Sequence, residues 1–388
     1  MMLRARPGWA HTSAFYGFLF LALGAHLPFW PLWLRDWGLT EAEVGAFTGA
    51  AVAARILLGV LLPWLADTLS APRRVLAVMA ALGAALFAAH SLIDTRPILL
   101  AATLATAAVT AGTLPIADAL SLRAASRGGF AYATARSIGS AAFLAANLLC
   151  GLAVARWGID AALWWIALSF LPLIWLGWRH PGGAGAPVAR PRIGEATRLL
   201  RSPAFLAAMI AGAALQGAHA PLYAYGSIHW SAAGISNGTI GALWAFGVAV
   251  EVAVLALFGK RLIDWLGPSG AFALSASASL LRWAAMTFDP SLAWLWPLQA
   301  LHGLTFTAAH LGAMAFVHAA APPHLAATAQ GLAGSLAGGA FMAAGSFLAA
   351  LVYPDFGAGA FWIGAIFSAV GLIAALVLRR TWTGNAVL

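Results

Sequence analysis

Five ionisable side chains lie within apolar runs of this 388-residue chain: Arg55, Asp118, Arg136, Glu251 and Arg282. Four histidines share such runs: His26, His219, His302 and His310. A charge in hydrocarbon costs about 2.5–3.5 kcal/mol on insertion scales, so each of these side chains demands a reason. Arginine offers a fixed positive charge with forked donors, which makes Arg55, Arg136 and Arg282 candidates for holding an organic anion. Buried carboxylates and imidazoles can change protonation near neutral pH. Glu251 is the carboxylate set deepest in its run, and Asp118, His302 and His310 are the other candidates for carrying a proton. Asp118 and Arg136 lie near the ends of their runs, where a solvated structural pair is an equal reading. Arg282 could reach toward headgroups instead.

Other chemistry finds little support. His302 and His310 are eight residues apart, about 80° around a helix and roughly 12 Å along it, too far to share one ion. A single cysteine, Cys150, forbids an internal disulfide and a cysteine-based metal cluster. No G-x-S-x-G, H-E-x-x-H or G-x-G-D pattern occurs, so the chain does not read as an enzyme. No metal and no cofactor is expected.

The elements that carry these residues follow from composition. With 62% hydrophobic and 9% charged residues and a mean hydropathy of +0.87, the chain has too little polar surface for a soluble globule. Continuous apolar runs of roughly 20 residues each suit helices crossing a ~30 Å hydrocarbon core. They are not the alternating runs of a transmembrane barrel. Spans are predicted near 13–34, 43–65, 73–92, 97–121, 136–155, 160–178, 203–228, 238–259, 270–288, 291–317, 326–352 and 359–378. These make six spans in 1–178 and six in 203–388, joined by a Gly/Pro-rich basic linker at 179–202.

Placing the N-terminus in the cytoplasm puts 15 of the 21 Lys and Arg there, the linker arginines among them, against Arg35, Arg96 and Arg156 outside. Topology and contact with anionic lipid therefore account for the net charge of +9, and a nucleic-acid partner is not expected. Trp30, Trp33 and Trp37 cluster at the outer end of the first span, where an interfacial belt is the expected use.

The two halves repeat each other. GAHLPFW at 24–30 recurs as GAHAPLY at 217–223, 193 residues on. VGAFTGAAVAARILL from Val44 aligns with IGALWAFGVAVEVAV from Ile240, setting Arg55 against Glu251. YATARSIGSAAF from Tyr132 aligns with ATAQGLAGSLAG, setting Arg136 against Gln330, and Asp118 falls against His310. Offsets drift only from 192 to 196. An even number of spans per half makes the repeat parallel, an architecture used by membrane carriers. Pro28 and Pro221 then predict either matching kinks in two helices or helix ends.

The stretches AHLPFWPLWL, LPIADAL, LWAFGVAVEV, LLRWAAM and LQALHGLTFTAAHLGAM resemble the major facilitator superfamily, and within it the phenylpropionate permease-like branch of proton symporters, neighbours of the oligosaccharide and nucleoside symporters. The resemblance runs end to end. It implies an all-α membrane protein of twelve transmembrane helices, as two six-helix bundles related by a pseudo-two-fold along the membrane normal. It also implies a monomeric carrier in a bacterial inner membrane, both termini cytoplasmic, taking up a small aromatic carboxylate with protons by alternating access. Spans one, seven and ten then line the cavity, with His26, His219, Phe29, Trp30, Tyr223, Phe306 and Gln330 beside the arginines. The superfamily's loop between spans two and three departs from its usual pattern: PWLADTLSAPRR keeps Asp67, Arg73 and Arg74 but lacks both glycines. Sugar or nucleoside symport and drug/proton antiport are the alternatives.

Reporter fusions test the topology. Fusions within 179–202 and within 229–237 are expected to report opposite sides of the membrane, and equal signals would break the orientation.

Overall fold

The computed structural model describes residues 7–183, 197–322, 325 and 329–387. Its helices are α1 (Pro7–Asp36), α2 (Glu41–Thr68), α3 (Pro72–Ala89), α4 (Arg96–Ala111), α5 (Thr113–Gly128), α6 (Tyr132–Trp157) and α7 (Asp160–Trp178). They continue with α8 (Pro203–Gly217), α9 (Ser227–Ala232), α10 (Asn237–Met286), α11 (Leu292–Ala300), α12 (His302–Ala320), α13 (Gly339–Phe356) and α14 (Trp362–Thr381). No strand occurs among the described residues. Hydrocarbon offers no partner for a backbone N–H or C=O, so apolar runs that bond internally are what this composition permits. Among the described residues ten stretches are long and apolar enough to cross a membrane, and the chain is an integral membrane protein.

Two stretches are longer than one crossing needs. The predicted loop between 259 and 270 is absent: α10 stays helical to Gly267, whose φ of 61° and ψ of −178° break it just before Pro268. A 3₁₀ turn, Gly357–Phe361, separates α13 from α14.

The repeated His-Pro stretches take different forms. In the first copy α1 runs unbroken through Pro28 and Pro31. In the second, α8 ends at Gly217, and Pro221 leads into a π-helical turn, Leu222–Gly226, before α9 resumes. At the break the His219 amide donates to Gln216 O at 3.2 Å, and its ring Nδ1 lies 3.0 Å from Leu215 O. Proline has no N–H to give the preceding turn, so the helix reroutes its bonds there. The helix is therefore interrupted in the second copy and continuous in the first.

Contacts divide the chain into two compact units: Met1–Gly38 with Ala54–Ala189 and Gly234–Ala245, and Leu39–Ala53 with Arg190–Ala233 and Phe246–Leu388. In the first unit α1 packs on α6 and α7, and α3 on α7. In the second α8 packs on α14, α13 and α12. The repeat's leading glycines serve these contacts. A Cβ at Gly24 would come within 2.6 Å of Phe143 O, and one at Gly217 within 2.7 Å of Phe341 Cβ. Both positions let one helix backbone lie directly on another.

Most of the 179–202 linker lies outside the described residues, but its start is tied down. Buried His180, beyond the end of α7, accepts the Gly182 N–H on Nδ1 at 3.2 Å. Its Nε2 therefore carries the hydrogen and faces Ser121 Oγ at 3.4 Å, while Arg127 donates to Gly182 O at 3.0 Å. Burial, and then the positive charge of His11, Arg73 and Arg123, pushes the His180 pKa down to about 3. The unfolded imidazole titrates near ~6.5, so between the two values the unfolded chain binds a proton that the folded chain does not. The neutral clip contributes fully above about pH 6.5, and folding weakens by about 1.4 kcal/mol per pH unit below it. Thermal melts in detergent are expected to show stability falling from about pH 6.5 to about pH 4.5, and His180→Gln to flatten that curve. A variant as acid-sensitive as the parent would assign the loss to other groups.

Candidate functional site

In the second unit the polar side chains of α10, α11 and α12 meet the broken end of α8. Arg282 is 1% exposed. Its Nη1 reaches His302 Nδ1 at 3.2 Å and Thr305 Oγ1 at 3.3 Å, and its Nη2 donates to Gln299 Oε1. Its guanidinium lies 4.5 Å from the Trp283 ring centroid. On the far side of the imidazole, His302 Nε2 is 3.2 Å from Glu251 Oε2. The donor inventory fixes the direction of these bonds. Guanidinium has donors only, so His302 Nδ1 must accept, and a neutral imidazole then carries its hydrogen on Nε2 and donates it to the carboxylate. Arg282 and Glu251 thus offset each other through an intervening ring rather than in contact. Thr307 Oγ1 donates to the Glu251 carbonyl at 3.3 Å, holding α12 to α10 at this level.

His219, 1% exposed, adds a further link, with Nε2 3.2 Å from Thr305 Oγ1. Its ring is edge-on to His302 at 5.3 Å and 5.8 Å from Tyr223. Along α12, Phe306 lies between two histidines, 5.6 Å from His302 and 6.2 Å from His310, whose ring is nearly parallel to it. His310 is exposed, as is Gln330, whose amide is 3.8 Å from Met314 Sδ.

The first unit holds a separate cluster. Asp118 Oδ1 accepts from Tyr16 Oη at 2.5 Å and Tyr132 Oη at 2.9 Å. The Arg136 guanidinium does not pair with that carboxylate. Its Cζ lies over aromatic rings, 4.1 Å from the Phe20 centroid and 5.3 Å from that of Tyr16. Elsewhere in this unit His26 stacks on Trp30 at 5.4 Å and 14°, and Trp30 on Trp33 at 5.0 Å and 12°. Arg55 has a buried Nε with no acceptor.

The expected belt at the end of the first span is corrected. Trp30 and Trp33 are buried, and Trp33 Nε1 donates to Asp160 Oδ1 at 2.9 Å. Phe29 is fully buried beside Gly151. Arg73 and Arg74 open α3, with Arg74 5.9 Å from the Trp178 ring centroid, while the Asp67 side chain lies outside the described ones. The reading of the sequence missed Gln299, Thr305, Tyr16 and Tyr132. A signal existed for the first two, since they stand at i−3 and i+3 from His302, the spacing of neighbours along a helical span. Nothing local pointed to the tyrosines.

The MFS_1 like family model matches residues 9–363. The chain is 31% identical over 356 residues to the probable 3-phenylpropionic acid transporter of Escherichia coli strain K12, covering 89% of this chain and 92% of that one. It is 25% identical over 329 residues to the uncharacterized transporter YwbF of Bacillus subtilis strain 168, covering 84% and 82%. Among solved structures it resembles the nucleoside transporter NupG, with a TM-score of 0.79 at 16% identity over 97% of this chain and 99% of that one. The POT family transporter PepTSo gives 0.71 at 12% identity over 98% of each chain. At such identities the structures speak for the fold alone.

Removing one member of a buried charge pair leaves the other uncompensated. Arg282→Met is expected to cost on the order of 3 kcal/mol in detergent unfolding, and Glu251→Gln less, because its carboxylate keeps some contact with solvent. The double variant is expected to lose less than the sum of the two, by about 1 kcal/mol or more. Simple additivity would mean that the imidazole does not link them.

Proposed function

The chain belongs to the MFS_1 like family, and on that premise we propose that it carries a small aromatic carboxylate, of the 3-phenylpropionate kind, into the cell together with protons. The observation that carries this reading is the Arg282–His302–Glu251 chain. While Glu251 is ionised, its charge and that of Arg282 offset each other through His302. A proton on Glu251 removes the anion and leaves Arg282 a buried cation, a state that is costly until another anion arrives. A substrate carboxylate is such an anion and matches a guanidinium fork. Proton and anion are therefore favoured together, and the combined load adds no net charge. Alternating access exposes the now buried Arg282 during the cycle and returns it to His302 and Glu251 after release. Arg55 and Arg136, which have no carboxylate partner among the described residues, are further candidate anion ligands, and Tyr223 supplies aromatic surface beside His219.

The same reading includes twelve spans in two six-helix bundles, 1–178 and 203–388, related by a pseudo-two-fold, in a bacterial inner membrane with both termini cytoplasmic. Its support is partly arithmetic. The stretches Asn237–Met286 and Gly339–Thr381 are 50 and 43 residues long, about 75 and 65 Å as straight helix. Each exceeds twice a ~30 Å core and supplies two crossings. Ten stretches then give twelve spans.

Thermal shift of the purified protein is expected to show stabilisation by 3-phenylpropionate but not by its amide, and loss of that effect in Arg282→Gln. In proteoliposomes Glu251→Gln is expected to keep substrate counterflow at uniform pH and to lose accumulation driven by a pH gradient. Stabilisation by a neutral nucleoside or sugar, untouched by Arg282→Gln, would replace the anion reading. Undiminished accumulation in Glu251→Gln would move the proton elsewhere.

A further inference from the structure

We infer that Thr305 and His219 are positioning residues that set the direction of the hydrogen-bond chain ending at Glu251, an inference that rests on the proton-coupled reading above. The argument begins at the broken helix. His219 Nδ1 lies 3.0 Å from Leu215 O, a group that can only accept, so Nδ1 carries the ring hydrogen. In the neutral ring Nε2 is then a bare acceptor, buried, with Thr305 Oγ1 at 3.2 Å. A helical threonine ordinarily turns its hydroxyl back to a carbonyl one turn earlier, and His302 O is in reach at 3.3 Å. The His219 lone pair competes better, because leaving it without a donor costs on the order of 1–3 kcal/mol, whereas a helical carbonyl still has its backbone partner.

With its one hydrogen given to His219, Thr305 Oγ1 presents lone pairs to Arg282 Nη1 at 3.3 Å. The two Nη1 hydrogens are thereby divided between Thr305 and His302 Nδ1. Ser275 fixes the threonine in turn, donating from Oγ to Thr305 O at 2.6 Å. The order is then single-valued: Leu215 O ← His219 ← Thr305 ← Arg282 → His302 → Glu251. Three consequences follow. His302 Nδ1 is shielded by an arginine N–H and cannot take a proton unless Arg282 leaves, so an incoming proton goes to Glu251. His219 has both nitrogens engaged and is no substrate ligand in this state. Finally, the proline break in the seventh span reaches the carboxylate through five hydrogen bonds. The charged and titratable groups around His219 are Arg282, His302 and Tyr223; Trp283 and Phe306 close its remaining sides.

Thr305→Val keeps the shape and removes both the hydroxyl donor and its acceptor. In proteoliposomes with an imposed pH gradient and labelled 3-phenylpropionate it is expected to lower accumulation by about fivefold or more, a clearly larger loss than that of counterflow at uniform pH. Thr305→Ser, which restores the hydroxyl, is expected to restore accumulation. Thr305→Ala gives the same split as valine and guards against misfolding of that one variant. His219→Leu lowers accumulation similarly, and the His219→Leu/Thr305→Val double is no worse than either single, because both cut one link. Additive losses, failure of serine to rescue, or accumulation and counterflow falling in parallel would overturn the inference. So would full accumulation in Thr305→Val with loss in Glu251→Gln, an outcome that leaves proton coupling through Glu251 standing. Full accumulation in Glu251→Gln overturns the parent reading and this one with it.

Discussion

A guanidinium closed off from solvent inside a membrane protein is the constraint on which the second unit is built. Arg282 cannot shed its proton and cannot reach water, so every element around it must bring an acceptor. Gln299 arrives from α11, His302 and Thr305 from α12, and the ring of Trp283 offers a π face. None of these neutralises the charge. The compensating anion, Glu251, stands one imidazole away on another part of α10. A direct pair would be stronger and harder to open. Relaying the charge leaves the arginine with acceptors at Nη1 and Nη2, none at its buried Nε, and a charge only partly offset, a condition that a second anion can exploit.

That arrangement depends on a difference between two diverged copies of one sequence. GAHLPFW and GAHAPLY share their glycine, histidine and proline at equal spacing, and the glycines do the same work, each admitting a close helix contact. The histidines do not. His26 stays on an intact helix and stacks on Trp30, four residues on, as the side chains of one helical face do. His219 falls where the helix gives way before Pro221, and its ring takes over bonding to Leu215 O. A repeat therefore preserves depth and helix packing more faithfully than it preserves the use of a side chain.

The legible part of the sequence was the part set by solvent. Continuous apolar runs placed most of the helices, with ends off by up to about seven residues, and Glu251 was read as deep in its run, whereas Arg282, for which the headgroups were the alternative, is buried. The join of the eighth and ninth spans was misread because Lys260, Arg261 and Asp264 look like a loop, whereas helix persists to Gly267, with Lys260 and Asp264 paired one turn apart. Tryptophans near a span end were misread for a related reason: composition says that an indole suits an interface, but only packing says whether α7 supplies an acceptor such as Asp160. Tyr16 was invisible because its partner Asp118 is 102 residues away. Hydrogen bonds between helices leave no period in the sequence, and periods are what a single sequence displays.

The two carboxylate clusters differ in a way that separates their capacities. Asp118 is met by tyrosine hydroxyls. A hydroxyl can donate or accept, so it can turn around when the carboxyl oxygen it faces gains a proton, and the neighbours need not move. Protonation at Asp118 is therefore absorbed where it occurs. Glu251 is met by an imidazole whose other nitrogen faces a donor that can never become an acceptor. A proton on the other carboxyl oxygen leaves the bond from His302 to Oε2 in place and removes the negative charge that offsets Arg282, a cation that cannot neutralise itself. A change at one carboxylate is thus transmitted across α12 to a buried cation. Transmission of this kind, rather than depth in the membrane alone, would distinguish a coupling carboxylate from a structural one, and under the proposed proton coupling it favours Glu251 over Asp118 as the residue through which a proton alters the affinity for an anion.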